Sequence, residues 1–198
     1  MKHYIDITIL PSDDIGIHFL WSKLMMQVHL ALVEIQDSNK QVPIAVSFPN
    51  YRMSTDKSGF LGKKLRLFSV KKTDLERLNI QKWLSRLTDY LHIKNIADVP
   101  VDVHSFENFN RRQKAGSPDK HIRRRMKRHN ETFEQASLYF ADYKMTEEDK
   151  ALPFIKMKSL GSNNDFNMSI IRKTVEPNNT PVMFNTYGFS RKSSLPKF

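Results

Sequence analysis

The chain has 198 residues, enough for one large domain or two small ones sharing an interface, and its 39% hydrophobic content, with 13 Phe, is that of a chain with a core. Thirty-two Lys and Arg against 21 Asp and Glu give a formal net charge of +11, so a polyanion is the first partner to consider, because neutralised phosphates release condensed counterions. The absence of cysteine excludes disulfides, iron–sulfur clusters and thiolate zinc sites, and no apolar run nears the roughly 18 residues of a membrane span, so a cytoplasmic protein without membrane contact is expected.

In chain order, Ile5, Ile7 and Ile9 alternate with Asp6 and Thr8, which predicts a strand over 3–10. Pro11-Ser12-Asp13-Asp14 reads as a turn and helix start. From Ile17 to Ile35, the residues Leu20, Leu24, Val28, Ala31, Leu32 and Ile35 fall on one side of a helix. Val42–Phe48 reads as a second strand, 49–62 as a loop, and the stretch through Leu65, Leu67 and Val70 as a third strand. Thr73 with Glu76 predicts a capping box ahead of a helix carrying Leu75, Leu78, Trp83 and Leu87, and a fourth strand is expected within 90–104. The order β-α-β-β-α-β is the ferredoxin-like arrangement, a fold that hosts many activities and by itself assigns none. No aromatic-rich RNP1 motif accompanies it.

The second half differs in character. Residues 111–128 hold nine Lys and Arg and one acid, Asp119, a net +8. Ser117-Pro118-Asp119 is a helix start, with Ser as N-cap and Pro at the first helical position. The wheel puts Ile122, Met126 and Phe133 on one face and Lys120, Arg123, Arg124, Lys127 and Arg128 on the other, a cationic row about 14 Å long that could follow a duplex groove. The competing reading is a solvated face or a localisation signal, but such faces normally mix acids with bases, and this one does not. RNA and DNA both remain partners for it at this point. Thr132 with Gln135 predicts another capping box, opening a helix through about Tyr143, followed by strands at 153–160, 166–172 and 182–187.

Seven histidines include no H-x-x-x-H pair, so no metal and no other cofactor is expected. His29 lies at the margin of the apolar stripe of its helix, beside Ser22 and Met25, where an imidazole can serve as general base or acid or simply be a capped surface group. Tyr187 and Ser159 stand at the ends of predicted strands next to Gly188 and near Gly161, positions that suit structural roles as well as chemical ones. Neither a G-x-S-x-G elbow nor a phosphate-cradling Gly loop occurs.

Several segments in order, Val28-His29-Leu30-Ala31-Leu32, Val46-Ser47-Phe48-Pro49, Leu61-Gly62-Lys63-Lys64-Leu65, Arg123-Arg124-Arg125-Met126-Lys127-Arg128-His129, Leu152-Pro153-Phe154 and Tyr187-Gly188-Phe189-Ser190, together with the opening His3-Tyr4-Ile5-Asp6-Ile7, make the chain resemble the CRISPR-associated endoribonucleases that process precursor CRISPR RNA in type I-F systems. The resemblance runs from end to end. It implies an α+β chain with a ferredoxin-like domain over 1–99, and an RNA-binding domain over 100–198 with an arginine-rich helix and a small antiparallel sheet. It implies cleavage of the CRISPR repeat hairpin by the RNA's own 2′-OH without metal, giving a 2′,3′-cyclic phosphate and a 5′-hydroxyl, and retention of the crRNA beside other subunits of a type I-F surveillance complex. By position it gives the catalytic role to His29, the 2′-OH to Ser159, the orientation of the histidine to Tyr187 and stacking on the last base pair to Phe166. It gives purine edges to Arg111 and Gln113, and RNA contacts to the helix residues, Arg124, Lys127 and Arg128 facing the groove. Lys127 departs from the family's arginine and loses its planar fork. Gly161 and Ser162 depart from a Ser/Thr-rich turn. The alternative from another class is a non-catalytic hairpin-binding subunit of a CRISPR or transposon-associated ribonucleoprotein.

Overall fold

A computed structural model describes residues 1–53, 59–113, 118–141, 151–159, 161–178 and 182–198. The alternating isoleucines form β1 (His3–Ile9), and the apolar stripe that follows forms α1 (Ile17–Glu34), which buries Leu20, Leu24, Val28, Ala31 and Leu32. The helix starts after Gly16 with no side-chain cap; Ser12 instead accepts the Ile15 N–H one turn earlier. β2 (Ala45–Ser47) and β3 (Lys64–Ser69) follow, then α2 (Lys72–Leu78), α3 (Ile80–Trp83), β4 (Leu91–Ile93) and β5 (Ala97–Asp98). These strands make one antiparallel sheet in the order β2-β3-β1-β4, with β5 pairing the start of β1. β6 (Phe106–Arg112), α4 (Pro118–His129), α5 (Phe133–Leu138), β7 (Phe154–Lys158), β8 (Asp165–Val175) and β9 (Leu195–Pro196) complete the chain, the strands forming a second antiparallel sheet in the order β7-β8-β6-β9. The chain is thus α+β with two antiparallel sheets.

One core spans both sheets. Phe48 meets Phe109 edge-on at 5.3 Å, and Ile155, Met157, Met168 and Ile170 join the cluster around α1 and the first sheet. The last segment crosses between the sheets: Val42 bridges Phe184, Val46 N–H donates to the Gly188 carbonyl, Leu195 pairs with Glu107, and Arg66 donates to the Phe198 carbonyl.

Several expectations need correction. The helix over 73–87 breaks at Asn79, which is left-handed at φ 45°, so that α2, α3 and a short 3-10 turn (Ser85–Leu87) replace one helix. No Thr73–Glu76 capping box forms; Ser69 accepts the Lys71 N–H and donates to Asp74 instead. α4 ends at His129 with Asn130 left-handed, so Phe133 belongs to α5 and does not share the Ile122 face. The Thr132–Gln135 box is present, but its helix ends at Leu138, and the expected end at Tyr143 lies outside the described residues, as does the Ser117 cap. Residues 182–187 form no strand; Phe184 makes an isolated bridge and the chain then turns. Among the described residues, no helix is long and apolar enough to cross a membrane.

Candidate active site

His29 stands on the last third of α1, on the flank left half-buried once the stripe through Val28 and Leu32 has packed. Its Nδ1 lies 2.7 Å from the Thr186 carbonyl oxygen. A carbonyl has no proton to give, so Nδ1–H donates, and in the neutral ring Nε2 then carries the free lone pair. The Tyr187 ring stacks on the imidazole, centroids 4.2 Å apart and planes 5° from parallel. Two contacts from one turn therefore fix both the tautomer and the plane of the ring.

That turn is built by its own residues. Asn185 Oδ1 accepts from the N–H groups of Tyr187 (2.9 Å) and Phe189 (3.2 Å), and Gly188 N–H closes onto the Asn185 carbonyl. Gly188 adopts φ +76°, and any Cβ there would overlap Val46 of β2. Reading 182–187 as a strand misses this turn, although Asn185 and Gly188 flanking Thr-Tyr are the signal for it.

Ser159 follows the last residue of β7, a strand that packs along α1. Its Oγ accepts from the Ser162 N–H (3.3 Å) and hydroxyl (2.9 Å), while its N–H donates to Asn164, in a turn that uses left-handed Asn163. On β8, Phe166 pairs with Met157 of β7, and the Arg111 guanidinium of β6 lies 4.8 Å from the centre of its ring. Gln113 is exposed just beyond the end of β6. The structure thus joins His29 to Tyr187 and Arg111 to Phe166, each pair in contact.

The basic residues of α4 form a separate group. Lys120, Arg123, Arg124, Lys127 and Arg128 are exposed, and the first four share a shallow groove with Asp119. Ile122 anchors the opposite face. Arg125 is not part of the open row: it makes a bidentate pair with Glu131 (2.7 and 2.8 Å) and lies 3.4 Å over the Tyr139 ring.

Two buried carboxyls lie apart from the histidine. Asp6 is 3% exposed; burial opposes its ionisation, but a bidentate pair with Arg66 at 2.6 and 3.0 Å and the Lys64 ammonium outweigh that and hold its pKa down. Arg66 is itself flanked by the rings of Tyr4 and Phe198. Glu107 is equally buried, its ion pair with Arg172 is long at 4.0 Å, and burial pushes its pKa up to about 7 against the pull of Arg172, Lys197 and Arg66. Neither pair is foreseeable from sequence, because the partners are set by strand register. Among the described residues, no group of three or more His, Cys, Asp or Glu side chains could hold a metal ion.

Residues 4–198 match a family model described as CRISPR-associated protein (Cas_Csy4). Over 198 residues, covering 100% of both chains, the sequence is 29% identical to the CRISPR-associated endonuclease Cas6/Csy4 of Escherichia coli (strain UTI89 / UPEC). It is 30% identical, again over 198 residues and 100% of both chains, to the protein of the same name in Pseudomonas aeruginosa (strain UCBPP-PA14).

Proposed function

The chain belongs to the Cas_Csy4 family of CRISPR-associated proteins, and from that premise we propose that it is the endoribonuclease that cuts CRISPR repeat hairpins out of precursor crRNA. The observation that carries the reading is the imidazole of His29, clamped by the Thr186 carbonyl and the Tyr187 ring with Nε2 left for proton transfer. In the proposed reaction the ribose 2′-oxygen loses its proton and bonds to the adjacent phosphorus. The bond to the 5′-oxygen breaks, and that oxygen gains a proton. The products are a 2′,3′-cyclic phosphate and a 5′-hydroxyl, and no metal is required. Nε2 takes the first proton when neutral or gives the second when charged. Ser159 holds the 2′-hydroxyl, and Tyr187 orients the imidazole.

Binding is assigned to other surfaces. The arginine-rich helix α4 presents Lys120, Arg123, Arg124, Lys127 and Arg128 to the phosphates of the stem, while Arg111 and Gln113 read purine edges and Phe166 caps the last base pair. The strand order β2-β3-β1-β4 supports a ferredoxin-like unit for residues 1–99, and the second sheet with α4 supports an RNA-binding unit for 100–198. After cleavage the hairpin stays bound and enters a type I-F surveillance complex in the cytoplasm.

The test is incubation of the purified protein with its host's repeat hairpin in EDTA, with end-group analysis of the products. Cleavage to a cyclic phosphate is expected, and His29→Ala is expected to abolish it while changing hairpin affinity less than about threefold. Binding without cleavage by the wild type would make the chain a scaffold; cleavage retained by the variant would remove His29 from the chemistry.

A further inference from the structure

Thr186 and Tyr187 share one peptide group, and both of its polar ends are engaged. The Thr186 carbonyl oxygen accepts from His29 Nδ1 at 2.7 Å, and the Tyr187 N–H donates to Asn185 Oδ1 at 2.9 Å. The peptide is trans, so its C=O and N–H point in opposite directions within one rigid plane. An oxygen that holds the N–H on one side therefore aims the carbonyl on the other, toward the imidazole. Among the described residues, that peptide makes these two hydrogen bonds and no others.

The rest of the turn is closed by backbone and does not set this plane. Gly188 N–H donates to the Asn185 carbonyl at 2.8 Å, and Asn185 N–H donates to the Phe189 carbonyl at 3.0 Å. On either side, Phe184 exchanges two hydrogen bonds with Val42, and the Gly188 carbonyl accepts the Val46 N–H. Phe184 and Phe189 are buried, whereas Asn185 is exposed. Those backbone bonds are open to any residue at 185. Gripping the Tyr187 N–H needs a side-chain oxygen that reaches two residues onward, which is what asparagine or aspartate supplies at the first position of a turn.

We infer that Asn185 is a positioning residue for the proposed reaction: through the 186–187 peptide it selects the His29 tautomer that leaves Nε2 open for proton transfer. The inference rests on the ribonuclease reading and adds to it the group that sets the working form of the histidine. A carbonyl beside Nδ1 requires the proton on that nitrogen. With the carbonyl turned aside, the proton is free to sit on Nε2, and the ring then has no lone pair there for the 2′-hydroxyl. Whether Nε2 takes a proton or gives one, the neutral ring on that path carries its proton on Nδ1. The Tyr187 ring stacks on the whole imidazole and does not distinguish its two nitrogens, so the choice between them falls to the peptide that Asn185 holds.

The test compares the full chain with its Asn185→Ala and Asn185→Asp variants. Residue 185 is exposed, so neither change opens a core, and the backbone bonds of the turn remain. With nitrogen-15 histidine at about pH 8, where an ordinary imidazole is neutral, NMR shifts of the ring nitrogens show which one carries the proton. The His29 signals are those lost in His29→Ala. The wild type is expected to carry the proton on Nδ1, Asn185→Ala to move it toward Nε2, and Asn185→Asp, which keeps an accepting oxygen, to match the wild type. Single-turnover cleavage of the host's repeat hairpin is expected to fall about tenfold in Asn185→Ala, with hairpin affinity within about twofold of the wild type. In Asn185→Asp the rate is expected to stay within about threefold of the wild type. Four results would overturn the positioning role while leaving cleavage intact: a wild-type proton on Nε2, an Asn185→Ala ring identical to the wild type's, an Asn185→Asp rate as low as that of Asn185→Ala, or a loss of affinity that matches the loss of rate. A wild type that does not cut the hairpin overturns the ribonuclease reading and the positioning role with it.

Discussion

Glu107 is the residue at which the fold and the charge balance are most plainly opposed. Its folded pKa of about 7 stands above the ordinary 4.5, so between those values the folded state holds a proton that the unfolded state has released. Stability is then fully present below about pH 4.5 and declines as pH rises through 7, by about 1.4 kcal/mol per unit and of the order of 3 kcal/mol in all. Glu107→Gln keeps the shape and removes the titration. Urea unfolding at pH 5 and pH 8 is expected to show wild-type stability falling by about 3 kcal/mol more than the variant's between those two points. Parallel pH curves would mean that Arg172 keeps the carboxylate ionised. Asp6 does not confuse this comparison, because its shift has the other sign. Its contribution is present above 3.8 and is lost only as pH falls below that value, when Arg66 is left without its counter-ion.

At the scale of elements, α4 separates cations that can meet a ligand from one already engaged. Lys120, Arg123, Arg124, Lys127 and Arg128 point to water, whereas Arg125 is held by Glu131 and Tyr139. Arg124→Ala/Arg128→Ala is therefore expected to lower the slope of log affinity against log salt by nearly one unit for each phosphate left without its cation, while Arg125→Ala leaves that slope unchanged. Filter binding between 50 and 200 mM salt, roughly the range over which counterion release dominates, decides between them. The same helix shows what spacing can and cannot reveal. Its outward row is legible because Ile122 alone supplies a strong anchor, and α1 is legible because seven buried positions repeat at helical spacing. The break at Asn79 is not, since Leu75, Leu78, Trp83 and Leu87 keep that spacing across it. Nor is the 185–188 turn, where Val182 and Phe184 alternate like a strand although a single bridge is all that forms. His29 can be placed at the edge of a stripe from its own helix, but its partners Thr186 and Tyr187 are 157 residues away or farther, and only the tertiary fold brings them to it.

For the whole molecule, the last residues decide whether the two sheets behave as one body. Arg66 of β3 is buried against Asp6, stacked 3.9 Å from the centre of the Phe198 ring and bonded to the Phe198 carbonyl, while Leu195 pairs with Glu107 of β6. One short segment thus touches the ion pair of the first sheet and pairs, through its backbone, with the strand that carries the raised carboxyl of the second. With a core that also runs across both sheets, heating is expected to give a single transition. Removing Leu195–Phe198 uncovers Arg66 on one side and one edge of β6 on the other. The loss of a buried leucine and of the ring over a desolvated guanidinium costs about 3 kcal/mol, which lowers the melting temperature by roughly 6–12 °C in a chain of this size. Calorimetry of the truncated and full chains makes the comparison. If the sheets are coupled through this segment and the common core, the truncated protein melts earlier but still in one step. A second transition at the original temperature would show instead that one sheet holds its structure without the other, and the position of the His29 ring, set by a turn from the far end of the chain, would then depend on a contact between independently folding halves.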